Sequence, residues 1–449
     1  MGRPAGREKR LGKTARFLQQ PSRRAPVHSE LMPHTLALAV EIGTTALTVA
    51  GIGYFLAAWI AAQVFLARRR RQLRSIGARA ARFAPGVSIL KSLKGLDPAM
   101  LDAFRSHCRQ AYAGEFELLF GVSSLADPAV AAVEQLRREF PAISIQLIEC
   151  SQRLGANGKV STLVQLAEHA RYDFLLINDS DITVSPRYLE RVMACFDPAI
   201  GNNAAKPAGL VTALYRGRAE QSIFQGGLAA HLESLGIAAD FMPGVLLSRM
   251  IEGGLHYGLG STLAVRRDAL EAAGGLIGLV DQLADDYELG ARIARAGYRV
   301  EIAAEVVETS VPAYSWRGFV DHQLRWLRTV RDARPAGYAG LVFTHGLGWA
   351  ALNVIASGLS PVSVWLFAMS FFLRLSLAMT VGAEVLSDRQ VLPHLLLLPF
   401  RDLAAMGLWA AGFAGNTILW RGERFVLRKG RLHKASDSGP QTADSKKQA

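Results

Sequence analysis

Short apolar runs alternate with helix-spaced patterns through the middle of the chain, and long uncharged runs flank that middle on both sides. Five runs, at residues 87–90, 116–120, 143–148, 174–177 and 210–214, have the length and composition of buried strands. Helix-spaced segments separate them. This alternation predicts an α/β domain over residues 83–315, with an open, mostly parallel sheet and helices on both faces. No internal repeat is visible.

The flanks read differently. Residues 42–67 carry no charge, a run longer than the roughly 20 residues that cross a bilayer. The run ends in Arg68-Arg69-Arg70-Arg71 rather than a cleavage site. That predicts a retained transmembrane helix with its arginine end in the cytoplasm. Residues 1–35 read as a basic, disordered tail, and Met32 as an alternative start that would remove the competing basic segment. Over residues 316–334, Trp316, Phe319, Val320, Leu324, Leu327 and Val330 recur at helical spacing, with Arg317, Arg325, Arg328, Arg331 and Arg334 between them. This predicts an amphipathic helix in the headgroup region; the plain alternative is a surface helix packed on the domain.

A second membrane region is expected over residues 340–420. Residues 341–373 lack Asp, Glu, Lys and Arg, and Gly358-Leu359-Ser360-Pro361 divides them into two spans, the second running past Arg374 to near residue 381. Residues 391–420 are apolar except for Arg401-Asp402. Charge is costly at mid-membrane. The pair is therefore expected at an interface, between a short interfacial segment and a helix over 403–420. Residues 421–449 read as a basic, partly disordered tail.

The placement of charge sharpens this picture. The formal net charge is +13. Residues 1–30 hold a net +6 and residues 68–82 a net +7, so the excess flanks the first apolar run. A nucleic-acid binder carries its basic face within the folded domain, and this chain does not. Cys108, Cys150 and Cys195 show no metal-ligand spacing and read as reduced, buried thiols of a cytosol-facing domain.

Candidate chemistry lies at the ends of the apolar runs. Asp179-Ser180-Asp181 follows the 174–177 run. A carboxylate there points into the ligand crevice of an open α/β sheet, and an Asp-x-Asp offers hard oxygens to Mg²⁺ or Mn²⁺. Such triplets also cap helices or form turns. Asp127-Pro128 opens a helix, as an N-cap or as a nucleobase contact. Asp285-Asp286 also opens a helix, where acids are ordinary dipole partners. Inside a cleft, two adjacent carboxylates split their pKa values, which suits a general base. Lys159 begins a helix after Gly155-Ala156-Asn157-Gly158 and either reaches a diphosphate or is a solvated lysine. Gly258-Leu259-Gly260-Ser261 permits close backbone approach to a sugar, or a tight turn before a strand.

Taken in order, Asp127, Asp179-Ser180-Asp181, Asp285-Asp286 and x-x-Arg325-Trp326 resemble the membrane-bound, processive-type family of inverting glycosyltransferases, most nearly its ceramide glucosyltransferase branch. Asn157-Gly158-Lys159-Val160-Ser161, Ile177 to Ile182 and Trp420-Arg421-Gly422 carry the same likeness. The wording of Asn157 to Ser161, Asn178 to Ile182 and His322 to Arg328 is similar to bacterial hopanoid-biosynthesis members, which put N-acetylglucosamine on bacteriohopanetetrol.

The resemblance implies a GT-A fold, a UDP-sugar donor (UDP-N-acetylglucosamine or UDP-glucose), a divalent metal (Mg or Mn), a membrane lipid acceptor and a cytosolic active site in a bacterial inner membrane. Carried over residue by residue, Asp127 and Asp179 hold the nucleotide, Asp181 the metal, and Asp286 is the catalytic base. Arg325 and Trp326 close over the diphosphate and acceptor. His322 stands where the family has Gln or Arg, and still offers a hydrogen bond to phosphate. Ceramide glucosylation is the alternative reaction. A processive polysaccharide synthase is a second, though it needs a channel built from more spans. A non-catalytic scaffold predicts loss of the acids, and all are present.

Overall fold

The structure, a computed structural model, describes residues 28–79, 83–97, 99–200, 206–313, 315–420 and 423–434. The first half runs α1 (His28–Arg79), β1 (Val87–Ser92), α2 (Met100–Cys108), β2 (Phe116–Val122), α3 (Ala129–Glu139), β3 (Ser144–Glu149), α4 (Gly158–Glu168), β4 (Phe174–Ile177) and α5 (Tyr188–Met193). Then come β5 (Ala208–Ala219), α6 (Leu228–Gly236), α7 (Met242–Ile251), β6 (Leu263–Arg266), α8 (Arg267–Ala272), α9 (Asp285–Arg295) and β7 (Arg299–Val311). The remainder comprises α10 (Trp316–Ala333), α11 (Pro335–Gly340), α12 (Gly346–Ala356), α13 (Pro361–Met379), α14 (Val391–His394), α15 (Leu398–Gly412), β8 (Thr417–Trp420), β9 (Glu423–Arg428) and β10 (Arg431–Lys434).

Seven strands form one sheet in the order β3-β2-β1-β4-β6-β5-β7. Only β6 runs antiparallel to its neighbours. This is the open, mostly parallel sheet expected. Alternating side chains feed two cores. Ile89, Leu118, Phe120 and Leu176 pack against α2, α3 and α5. Leu90, Leu119, Leu175 and Ile177 face α4. The second core is continuous with Phe55, Ala62 and Phe65 of α1 and Leu377 and Val381 of the C-terminal helices, so one face of the sheet rests on the apolar bundle.

The helix α1 starts at His28 and runs 52 residues, about 78 Å at the α-helical rise. It extends beyond the 42–67 span at both ends; residues 1–27 of the expected tail lie outside the described residues. Its arginine end docks on the domain: Arg68 pairs with Glu301 at 2.6 Å and Arg69 donates to the Val385 carbonyl at 2.8 Å. Close packing with α12 needs small residues, because a Cβ on Gly51 would fall 2.3 Å from the Gly346 Cα.

By length and composition, four helical stretches among the described residues can cross a membrane: Thr35–Gly77, Leu228–Ile251, Pro361–Val385 and Val391–Gly412. The Leu228–Ile251 stretch, which is α6 and α7 joined through a π-helical turn over Ile237–Phe241, departs from the expectation of a purely soluble segment between residues 83 and 315. Its charges obscured it in the sequence, and the fold pairs them. Asp240 meets Arg374 and Arg401.

Arg401 and Asp402 also depart from expectation. They lie inside α15 rather than between two segments, both nearly fully buried, and Asp402 is gripped bidentately by Arg374. Satisfied this way, charge can sit among apolar helices.

A third difference concerns the C-terminus. α15 ends at Gly412, and Gly415 takes a left-handed backbone (φ 73°). Residues 417–434 then form the sheet β10-β9-β8. The expected helix to residue 420 and tail from 421 give way to strands there, while residues 421–422 and 435–449 lie outside the described residues. The expected amphipathic helix is present as α10: Phe319 and Gln323 are buried, Trp316, Val320 and Val330 exposed.

Candidate active site

Three parallel strands end on one edge of the sheet, and their following loops converge. The loop after β1 supplies Gly95, whose N–H donates to both carboxylate oxygens of Asp127 (3.0 and 3.1 Å). Asp127 follows β2 and also accepts from the Ala129 N–H at 2.9 Å, capping α3. Its carboxylate therefore ties two crevice loops together. In the same β1 loop, Asp97 accepts from the Ser180 hydroxyl at 3.0 Å, which links Asp127 to the triplet after β4.

The triplet is held from three sides. Asn178, 1% exposed, donates to the Ser261 carbonyl at 2.7 Å and to the Tyr188 hydroxyl, fixing the end of β4 to the loop before β6. Beneath it, the fully buried Lys91 donates to the Asp179 carbonyl at 3.0 Å. Burial pushes that lysine down to about 7, against the pull of Asp181 and Asp179. Asp181 accepts from the Thr309 hydroxyl at the end of β7, and burial, then Asp179, hold its carboxyl above the usual range.

Lys159 lies in the first turn of α4, whose cap is Asn157: the Asn157 side chain accepts from the Val160 N–H at 3.2 Å. The lysine ammonium lies 2.6 Å from Asp179 and 3.7 Å from Asp285. It joins the two acidic clusters that sequence order leaves far apart.

Asp285 and Asp286 begin α9 at a half-buried helix end. The segment before them is pinned twice. Asn157 donates to the Gln282 carbonyl at 2.8 Å. The C-terminal sheet reaches the same segment from the other side: Leu283 donates to Gly430, and Leu432 to Asp281. A cavity of about 190 Å³ lies between α9, α10 and this sheet, lined by Ala284, Tyr287, Thr329, Asp332 and Lys429 among others.

Burial, then Asp285, push the Asp286 carboxyl up to about 6, with Lys159 opposing. Burial also raises Asp285, with Lys159 again opposing. A side chain at Gly260 would place its Cβ 3.0 Å from Asp286 Oδ2 and 3.8 Å from Asp179 Oδ2. The glycine thus keeps open the space that both carboxylates face. Gly258 lets the same loop run against α9, its N–H donating to the Asp286 carbonyl.

His322, Arg325 and Trp326 lie on α10. His322 Nδ1 is 2.9 Å from Glu233 Oε2, and its ring packs on Trp326 with centroids 4.9 Å apart. The Tyr215 phenol on β5 is within electrostatic reach of Glu233 and of the acids: after burial, Asp286, Glu233, Asp179 and Asp181 disfavour its ionisation. The structure so gathers Asp179, Asp181, Lys159, Asp285 and Asp286, ties Asp127 to them through the β1 loop, and sets His322 and Trp326 on the adjoining helix. Lys91, Asn178, Tyr215, Glu233 and Thr309 were not singled out by sequence reasoning. Lys91 alone left a signal there, as a charge inside an apolar strand pattern.

Residues 23–433 match the profile of glycosyl transferase family 21, and the chain belongs to that family. It is similar to ceramide glucosyltransferase 3 of Caenorhabditis elegans, with 25% identity over 365 residues, 77% of this chain and 73% of the relative. Ceramide glucosyltransferase of Komagataella phaffii is 30% identical over 121 residues, 26% of this chain and 24% of that one. Among solved structures, a mannosyltransferase from Pyrobaculum calidifontis in complex with GDP-mannose and Mn²⁺ aligns with 82% of this chain and 97% of its own, at 18% identity and a TM-score of 0.43.

Proposed function

We propose that this member of glycosyl transferase family 21 moves a sugar from a UDP-sugar to a hydroxyl of a membrane lipid, with inversion, from the cytoplasmic face of a bacterial inner membrane. The observation that carries the reading is the pair Asp286 and Asp179 facing one space across Gly260. Asp286, with its raised pKa, is suited to take a proton near neutral pH. It accepts the proton of the acceptor hydroxyl while that oxygen forms its bond to the anomeric carbon. The bond from that carbon to the diphosphate oxygen breaks, and UDP departs with the electron pair. No covalent intermediate on the protein is required.

Asp127 and Asp179 bind the nucleoside, and Arg325 offers its planar fork to the diphosphate. Trp326 shields the reacting centre from water.

The residues present fit a divalent cation. Asp179, Asp181, Asp285 and Asp286 outnumber Lys159 and Lys91 by two formal charges, and a diphosphate brought beside them would be repelled. No group of three or more ligating side chains is found among the described residues. A Mg²⁺- or Mn²⁺-type site needs only one or two carboxylates, which share the ion with phosphate and water. Asp181 would hold it, and the ion would neutralise charge on the leaving diphosphate.

Two acceptors are supported. The motif wording favours N-acetylglucosamine transfer to bacteriohopanetetrol. The names of the relatives favour glucose transfer to ceramide. The test supplies membranes containing the protein with UDP-glucose or UDP-N-acetylglucosamine and each lipid, and reads products by mass spectrometry. One glycolipid is expected, lost on chelation and in Asp181→Ala. Absence of any lipid glycoside, with UDP-sugars left intact, would overturn the reading. A reporter after residue 82 is expected to be accessible from the cytoplasmic side; labelling only from the outer face would overturn the topology.

A further inference from the structure

Glu233 is a carboxylate almost without solvent, 4% exposed, on a helix with no other Asp, Glu, Lys or Arg. A buried carboxylate needs hydrogen-bonding partners. Its partners are two consecutive side chains of α10: His322 Nδ1 at 2.9 Å and Gln323 Nε2 at 3.4 Å, both directed at the same oxygen, Oε2. The imidazole so held packs on Trp326 one turn further along, with the ring planes 52° apart. Glu233 and the site acids also act together on the partly buried Tyr215. The acid is thus attached to the helix that carries Arg325 and Trp326, and no step of the transfer uses it.

We propose that Glu233 is a positioning residue for transfer: by accepting from Nδ1 it fixes the His322 ring against Trp326, and so sets the part of α10 that carries Arg325 and Trp326 in its place at the site. The inference rests on the transferase reading above. The chemistry is that of a carboxylate orienting an imidazole through one ring nitrogen. The pairing gives α6 a polar link to α10 beside the packing of Ala229 and Leu232 on Phe319.

The experiment is a double-mutant cycle on the full chain in membranes, with UDP binding and sugar transfer measured separately. Glu233→Leu removes the acceptor at similar size and is expected to lower kcat/KM for the UDP-sugar about tenfold or more, as loss of a charged hydrogen bond does. Glu233→Gln keeps a carbonyl oxygen for Nδ1 and is expected to restore most of that loss. In a His322→Ala background, Glu233→Leu is expected to cost less than about twofold, because a residue that acts through another has nothing left to position. KM for the lipid acceptor should stay unchanged.

An equal cost of Glu233→Leu with and without His322 would overturn the inference and leave Glu233 as a packing residue. So would wild-type kinetics in Glu233→Leu. If Glu233→Leu does not fold, Glu233→Gln and His322→Ala still decide: wild-type donor kinetics in His322→Ala overturns the inference. A wild-type protein that binds UDP but glycosylates no lipid overturns the transferase reading instead.

Discussion

The ammonium group of Lys159 lies 2.6 Å from a carboxylate oxygen of Asp179, joining the start of α4 to the end of β4. With Asp285 on its other side at 3.7 Å, one lysine bridges Asp179 and the acidic pair that includes the proposed base, Asp286. Burial works against its charge, yet Asp179 and Asp285 outweigh burial and keep it protonated above the ordinary lysine range. The same charge lowers both Asp285 and Asp286. Lys159→Met should therefore move the acid limb of the kcat/KM profile to higher pH and weaken UDP binding. A pH–rate profile beside the wild type decides this. An unmoved limb would show that Lys159 does not set the ionisation of the base.

The pH dependence of the wild type has a definite sign. With Asp286 as the proposed base, transfer requires its ionised form, so the rate should rise through about pH 6 and then level. Stability runs the other way. The folded pKa exceeds the unfolded value, so the contribution of this group to stability is greatest below the unfolded pKa and is lost as pH rises through about 6. Asp286→Asn should abolish transfer, by about 10²- to 10⁴-fold. It should still bind UDP and melt at or above the wild type at pH 8, with the difference closing below pH 5. A variant that transfers at near wild-type rate makes Asp285 the candidate base.

Five strands of the main sheet, the Asp-x-Asp triplet and the Asp285-Asp286 pair were legible because their signals are local, an apolar run or acids at the start of a helix; β7 was not among the runs read as strands. What sequence left out is held by distant pairing. Glu233 and Asp240 interrupt the run from Leu228 to Ile251, and only the fold brings His322 to one and Arg374 to the other. The C-terminal strands were hidden by their basic residues, which suggest a solvated tail until Leu432 and Gly430 meet the loop before Asp285. Arg401-Asp402 read as interfacial because a lone charge pair carries no sign of the arginine on α13 that buries it.

Gly260 supplies a test of the site's shape without touching charge. A methyl there would lie 3.0 Å from Asp286 Oδ2, closer than ordinary van der Waals contact, so the carboxylate must shift. Gly260→Ala should fold, bind UDP nearly as well, and lose about 10-fold or more in kcat, because small misplacements of a reacting group are costly. Steady-state kinetics with the preferred lipid checks this. An unchanged kcat would mean that the space between Asp286 and Asp179 is not where the sugar reacts.

Arg374 carries the heaviest electrostatic burden in the helical bundle. It binds Asp402 through Nε and Nη2, at 2.8 and 2.6 Å, and also pairs with Asp240, whose other oxygen lies 3.1 Å from Arg401. Two acids and two arginines balance, all but Asp240 nearly fully buried. Arg374→Met leaves two carboxylates with one guanidinium, and breaking a buried pair in this way costs about 3–5 kcal/mol. Removing both partners is different, because a well-packed apolar replacement of an ion pair is often neutral. The double variant Arg374→Met with Asp402→Leu leaves Asp240 facing Arg401, a balanced pair. It should therefore recover most of the stability lost in Arg374→Met. The measurement is the folded fraction of purified protein after heating in detergent, for the two single variants and the double. If the double variant is no more stable than Arg374→Met, the loss comes from packing around α13 rather than from uncompensated charge, and the electrostatic account of the bundle fails.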